Sequence, residues 1–133
     1  MISPHPFAAS LVVFAGAGLG GVLRHWFNLA AARWLGSDFP WGTFGVNVLG
    51  SFAMGLLAGW LAFRTGAGWP QPVRLFLATG FLGGFTTFSA YSLDAVLLWE
   101  RGREMAAVVY AGGSMLAGFA ALVAGLAIMR SAS

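Results

Sequence analysis

The chain has 133 residues, of which 59% are hydrophobic and 8% are charged, and it contains no cysteine. Soluble domains carry about 25% charged residues, so the composition argues against a soluble globular protein, and the lack of cysteine excludes disulfides and thiol chemistry. The net charge of +3 comes with seven arginines and no lysine, and the arginines form no basic run. A nucleic-acid-binding surface is therefore excluded, and the arginines are interpreted as charges flanking a membrane.

Four segments are long and apolar enough to cross a bilayer, which takes about 20 residues. They are residues 7–27, 41–63, 75–99 and 105–129. All six tryptophans lie at or just outside the ends of these segments, as the aromatic belts of membrane proteins require. The sequence therefore predicts an all-α integral membrane protein with a single transmembrane domain over residues 1–133.

The first segment contains two glycines four residues apart, Gly16 and Gly20, and Gly55 and Gly59 repeat this spacing on the second. Such spacing lets membrane helices approach closely, either within one subunit or between subunits. Arg24 near the end of the first segment has two interpretations. Its guanidinium either snorkels to the membrane interface or raises the anion concentration at a vestibule.

Polar residues follow one face of the second segment and one face of the fourth, at the four-residue spacing of a helix. They are Thr43, Asn47 and Ser51, continued by Gly55, and Tyr110 and Ser114, continued by Gly118. An amide at the depth of Asn47 is costly to bury without a partner. Asn47 is therefore either a hydrogen-bonding contact between helices or part of a polar path, and the paired stripes favour the path.

Three glycines and two adjacent threonines interrupt the third segment within residues 80–91. Glycine and threonine both weaken a regular helix, and non-helical backbone at this depth must be buried, line a wet cavity or coordinate an ion. Phe88 and Tyr91 then return at helical spacing and share one face. The pattern predicts a broken helix with a site beside it, with simple packing as the alternative for the two rings. Asp94 is either an intramembrane carboxylate or an interfacial one.

The arginines are divided almost evenly between the two sides of the predicted membrane domain. One side carries Arg64, Arg74 and Arg130, and the other carries Arg33, Arg101 and Arg103, with Arg24 nearby. This distribution gives almost no positive-inside bias and predicts insertion in both orientations, with one fixed topology as the alternative.

Four spans can scarcely pack a core and also enclose a polar path, so the sequence predicts a homo-oligomer. With insertion in both orientations, the simplest assembly is an antiparallel dimer with a two-fold axis in the membrane plane. The two breaks would then meet at the midplane, where freed carbonyl groups suit a small cation such as Na⁺.

Two stretches, GTFGVNVLGSF at 42–52 and GFLGGFTTFS at 80–89, resemble the signature sequences of the Fluc-type (CrcB-type) bacterial fluoride channels. GGVLR at 20–24 resembles the glycine-arginine motif of the same family, and the resemblance extends over all four spans. It implies a fluoride-selective channel of the bacterial inner membrane, which lets cytoplasmic fluoride leave down its electrochemical gradient and protects against fluoride toxicity. It also implies an antiparallel, dual-topology homodimer with two pores and one structural Na⁺ at the dimer interface.

The resemblance also implies a role for individual residues. The pore residues would be Asn47, the aromatic pair Phe88 and Tyr91, and the polar track Thr43, Tyr110 and Ser114. Amide and hydroxyl donors and the positive edges of aromatic rings can replace the water around a small anion without trapping it as a full charge would.

For the Na⁺, the resemblance implies ligation by the backbone carbonyls of Gly83 and Thr86. Two residues depart from the family pattern. Tyr91 replaces a phenylalanine and adds a hydroxyl that could donate to the anion, and Asp94 replaces a longer glutamate, which leaves its reach into the pore open.

Three other classes of protein fit the sequence less well. A small proton-coupled multidrug exporter also has four spans and dual topology, but needs a carboxylate on its first helix, and residues 7–27 contain none. A membrane enzyme is disfavoured because His5 and His25 are the only histidines and no nucleophile–base arrangement is present. An accessory subunit without transport would not explain Asn47 and the break together.

Overall fold

The computed structural model describes residues 5–63 and 69–132, and this part of the chain is helical apart from short connections. Its elements are α1 (Pro6–Leu35), α2 (Trp41–Phe63), α3 (Gln71–Arg74), a π-helical segment (Leu75–Leu82), α4 (Gly83–Phe85), α5 (Phe88–Glu100) and α6 (Glu104–Ser131). Four stretches are long and apolar enough to cross a membrane, namely α1, α2, the third span Gln71–Glu100 and α6. The prediction of an all-helical protein with four membrane-capable helices is confirmed.

The first span is longer than the sequence predicted, because α1 continues past residue 27 to Leu35. Residues 28–35 are mostly alanine and leucine, which favour helix, and Gly36 then ends the helix with a φ of 83°. Arg24 therefore lies inside α1, and the prediction that it lies near the end of the first helix is wrong. Of the arginines used to predict topology, Arg64 lies outside the described residues.

The third span is interrupted at Thr86 and Thr87, whose backbones are extended, with a ψ of 158° and a φ of −153°, respectively. Helix resumes at Phe88, and the Thr87 hydroxyl caps it by accepting a hydrogen bond from Ala90 N at 3.2 Å. Threonine suits both tasks, because its branched side chain favours extended backbone and its hydroxyl caps helices. The predicted break is confirmed, although it lies at the threonines, while the glycines within 80–84 are helical.

Glycines bring the spans into close contact within the subunit. The spans pack as two pairs, α1 against the π-helical segment with α4, and α2 against α6. A Cβ at Gly16 or Gly20 would collide with backbone atoms of the third span, and a Cβ at Gly55 would collide with the Leu122 carbonyl of α6. The predicted close approach is thus a contact inside one subunit, and these glycines give no support to a homo-oligomer.

Candidate functional site

The polar stripes of the second and fourth spans face each other, because α2 packs along α6. A cavity of about 440 Å³, named the main cavity here, lies between the two stripes and the break. Its polar lining comprises Asn47, Ser51, Thr86, Thr87, Tyr91 and Ser114. The predicted polar path and the predicted break therefore meet in one place, and Phe88 also lines this cavity.

Asn47 lies beside the break, and its amide group is bonded to the backbone of Thr87 at both ends. Its Nδ2 donates to the Thr87 carbonyl at 3.0 Å, and its Oδ1 accepts from the Thr87 N–H at 2.7 Å. In a continuous α-helix this N–H would donate to the carbonyl of Gly83, four residues earlier. A side chain of α2 thus replaces a hydrogen bond of the third span.

A second cavity, of about 240 Å³ and named the mouth cavity here, lies beside the connection between α1 and α2. Its polar lining comprises Asn28, Ser37, Asp38, Thr43, Asp94 and Arg101. Asp94 Oδ2 accepts a hydrogen bond from the Tyr110 hydroxyl at 3.2 Å. Although the Asp94 side chain is shorter than that of a glutamate, its carboxylate therefore reaches Tyr110 on the polar stripe of α6.

Tyr110 lies between the two cavities and is almost completely buried, with 1% of its surface exposed. On the side of the mouth cavity its hydroxyl donates to Asp94, which lines that cavity. On the other side its ring centroid lies 5.5 Å from that of Tyr91, which lines the main cavity. Tyr110 therefore connects the linings of the two cavities, by a hydrogen bond on one side and a ring contact on the other.

Phe88 and Tyr91 form a pair beside the break, with ring centroids 5.7 Å apart. Phe88 is 79% exposed in the isolated subunit, so it is not a residue of the subunit core. The Tyr91 hydroxyl donates to the Ala111 carbonyl of α6 at 2.8 Å. The hydroxyl expected to be available to an anion is thus already bonded within the protein.

Ser114 is buried, with 8% of its surface exposed, and it lines the main cavity. Within the described residues its Oγ has no hydrogen-bond partner. A buried hydroxyl without a partner costs free energy, so such groups in native proteins call for an explanation. A ligand in the cavity that accepts a hydrogen bond would supply the missing partner.

Gly83 and Thr86, the expected cation ligands, both line the main cavity beside the break. The Gly83 carbonyl loses its helical donor because the Thr87 N–H is directed to Asn47. The Thr86 carbonyl accepts a hydrogen bond from Arg24 Nη1 at 3.3 Å, which leaves its second lone pair free. Two carbonyl oxygens are therefore available for a hard cation, and residues 5–63 and 69–132 contain no cluster of acidic residues, histidines or cysteines suited to a metal.

Two residues of the site were missed from the sequence. The sequence predicts Thr87 only as part of the break, yet Thr87 is the hydrogen-bond partner of Asn47 and the N-cap of α5. A threonine directly before the residue at which a helix resumes is a signal for such a cap. Asn28 lines the mouth cavity one helical turn after Arg24, and this spacing on α1 could have pointed to it.

Comparison with known proteins identifies the family. Residues 11–126 match the family model described as "CrcB-like protein, Camphor Resistance (CrcB)". The chain is 61% identical over 121 residues to the "Fluoride-specific ion channel FluC" of Methylobacterium nodulans. The matched residues cover 91% of this chain and 95% of the relative.

Other relatives agree over almost the same length. The protein of Rhodopseudomonas palustris (strain BisB5) with the same name is 54% identical, over 91% of this chain and 96% of the relative. "Fluoride-specific ion channel FluC 2" of Nitrobacter hamburgensis is 55% identical, over 90% of this chain and 95% of the relative. The resemblance seen in the signature stretches is confirmed, and the chain belongs to the CrcB-like family.

Proposed function

We propose that this protein is a fluoride channel of the membrane, through which cytoplasmic fluoride leaves the cell down its electrochemical gradient. The observation that carries the proposal is the 61% identity, over 91% of the chain, to a relative named as a fluoride-specific ion channel. A channel performs no covalent chemistry, so the protein is not an enzyme.

The arrangement of polar groups suits a small, strongly hydrated anion. Thr43 lines the mouth cavity, Ser114 and Asn47 line the main cavity, and Tyr110 contacts the linings of both. These donors are neutral, and Phe88 presents the positive edge of an aromatic ring beside them. Such a series of sites binds the anion strongly enough for entry and weakly enough for exit. Arg24, beside the break, supplies positive charge that attracts anions.

The conducting unit in this proposal is an antiparallel homodimer in the bacterial inner membrane. Two observations support a partner subunit. Phe88 is 79% exposed in the single subunit, and Gly83 beside the break is also exposed. The nearly even distribution of arginines between the two sides supports insertion in both orientations.

A structural Na⁺ at the dimer interface belongs to the same proposal. The Gly83 and Thr86 carbonyls of each subunit are the groups that would hold it, because the break has released one and left the other with a free lone pair. When bound, the cation would supply the positive charge that keeps the two breaks together.

The exporter alternative finds no support in the described helices. α1 contains no acidic residue, and the half-buried carboxylate of Asp94 lines the mouth cavity, where it is bonded to Tyr110. A proton-coupled exporter would need a carboxylate inside its drug-binding cavity.

Purified protein in proteoliposomes loaded with fluoride tests the proposal. We expect rapid fluoride efflux, detected with a fluoride electrode, once a potassium ionophore balances the charge. Chloride-loaded vesicles should show no comparable efflux. Efflux equal to that of protein-free vesicles, or proton flux driven by cationic drugs, would overturn the assignment.

The position of the pore is tested with two matched phenylalanine variants. Phe88→Ile removes the aromatic ring beside the main cavity and should lower fluoride flux about fivefold, since each aromatic contact of this kind contributes about 1 kcal/mol. Phe14→Ile is the control, because Phe14 is 77% exposed on α1 and lines neither described cavity. Equal flux in the two variants would mean that the ion passes elsewhere.

A further inference from the structure

Asn47 makes a different contact from the one expected of a pore donor. One of the two N–H groups of the Asn47 amide donates to the Thr87 carbonyl. The amide oxygen of Asn47 accepts a hydrogen bond from the Thr87 N–H. Only one N–H therefore remains for a ligand in the main cavity. The bond between Oδ1 and the Thr87 N–H, at 2.7 Å, is the shorter of the two.

The two hydrogen bonds control the backbone of the break. The Thr87 N–H has two available acceptors, Asn47 Oδ1 and the Gly83 carbonyl that a continuous helix would use. While Asn47 holds this N–H, the Gly83 carbonyl stays released, and α5 starts anew at Phe88. The same contact fixes the Thr87 side chain as the cap of α5, which sets the direction in which Phe88 leaves the break.

We propose that Asn47 is a positioning residue that holds the third span open at Thr87. It acts on ions chiefly through the groups it places, the Gly83 and Thr86 carbonyls and the Phe88 ring, and only secondarily through its remaining N–H. This inference rests on the proposed channel function for its effect on flux, whereas the clamp on the backbone stands independently of it.

Loss of the Asn47 amide leaves the Thr87 N–H without a partner, which is unfavourable for a part-buried group. The nearest remedy is the helical bond from the Thr87 N–H to the Gly83 carbonyl. In Asn47→Leu, which keeps the branching of the side chain but has no polar atom, we therefore expect Thr86 and Thr87 to become helical. Asn47→Asp retains the acceptor for the Thr87 N–H, so the backbone should stay extended.

Carbon-13 chemical shifts distinguish extended from helical backbone, and solid-state NMR of the full-length protein in lipid would record them at Thr87. We expect helical shifts in Asn47→Leu and extended shifts in the native protein, in Asn47→Asp and in the control Ser114→Ala. Fluoride flux in proteoliposomes should fall about tenfold or more in Asn47→Leu.

The outcomes separate the two claims. Extended Thr87 shifts in Asn47→Leu together with lost flux would mean that Asn47 contacts the ion directly, and the positioning role would be wrong. If Asn47→Leu does not fold, helical shifts at Thr87 in Asn47→Asp would equally overturn the role. Helical shifts in Asn47→Leu combined with no fluoride flux in the native protein would leave the clamp intact and remove the proposed function.

Discussion

The hydroxyl groups around the main cavity differ in whether they already form a hydrogen bond within the protein. Tyr91 donates to the Ala111 carbonyl, while Ser114 has no partner among the described residues. Helical spacing places Ser114 on the polar face of the fourth span and Tyr91 beside the break in the third, but it does not report this difference. The hydroxyl of Ser114 therefore remains free to donate to a ligand in the main cavity.

Replacing Tyr91 by phenylalanine should leave fluoride flux close to the native value, because the lost hydroxyl is bonded to α6 and not directed at the ion. The free energy of unfolding should fall by about 0.5–1 kcal/mol, the usual contribution of one interhelical hydrogen bond. Flux in proteoliposomes and unfolding in detergent measure the two effects. A large loss of flux without a loss of stability would show that the hydroxyl serves the anion.

The opposite behaviour is expected of Ser114→Ala. Flux should fall about tenfold or more, because a hydrogen bond to a charged group contributes about 1.5–3 kcal/mol. Stability should be unchanged or higher, since the alanine removes a buried hydroxyl without a partner. Ser92→Ala is the matched control, because Ser92 donates to the Phe88 carbonyl on an exposed part of α5 and lines neither described cavity. Native flux in Ser114→Ala would exclude this hydroxyl from the pore.

At the scale of helices, the contact between α1 and the third span depends on the absence of side chains at a few positions. A Cβ at Gly20 would meet the Phe81 carbonyl and would lie 2.8 Å from Phe85 N. Both neighbours are backbone atoms, which cannot turn aside as a side chain can. The third span is π-helical along part of this contact, over Leu75–Leu82.

Gly20→Ala should therefore lower the free energy of unfolding by about 1–3 kcal/mol, the cost of overpacking a tight contact. Gly18→Ala on the same helix should cause no loss, because nothing lies within 4 Å of a Cβ placed there. Unfolding of both variants in detergent micelles compares them directly. Equal stability of the two variants would show that α1 and the third span are not in close contact.

Much of the fold follows from the sequence, because the length of an apolar segment and the places of tryptophans are local properties. The second span was predicted with its observed bounds, Trp41–Phe63. The end of α1 was misplaced because Arg33 and Trp34 were interpreted as a connection, although helix propensity carries them to Leu35.

The candidate site was predicted less completely. Helical spacing placed Asn47, Ser114 and Phe88 on faces, and the structure brings all three to one cavity. The partner of each group could not be predicted, because the contact of Asn47 with Thr87 joins residues 40 positions apart on different helices. Such a pairing depends on the tertiary register of helices.

For the whole molecule, the proposed antiparallel dimer predicts the accessibility of its ends. The chain contains no cysteine, so Ser131→Cys, at the exposed end of α6, provides a single labelling site. In sealed cells, an impermeant maleimide should label about half of the copies, since an evenly distributed set of arginines gives no preferred orientation. Permeabilised cells give the total as a control. Complete labelling, or none, before permeabilisation would rule out dual topology.

The exposure of Phe88 beside the break also bears on how the protein is made. A newly inserted subunit presents a bare aromatic ring, 79% exposed, next to a Gly83 carbonyl that has lost its helical donor. Acyl chains offer no hydrogen bond to that carbonyl, so the unassembled chain is the high-energy form. In the proposed dimer a second copy covers these groups, so the time that a single subunit persists depends on how soon it meets that copy and how soon a membrane protease degrades it. Low synthesis rates would reduce the amount of mature protein more than proportionally.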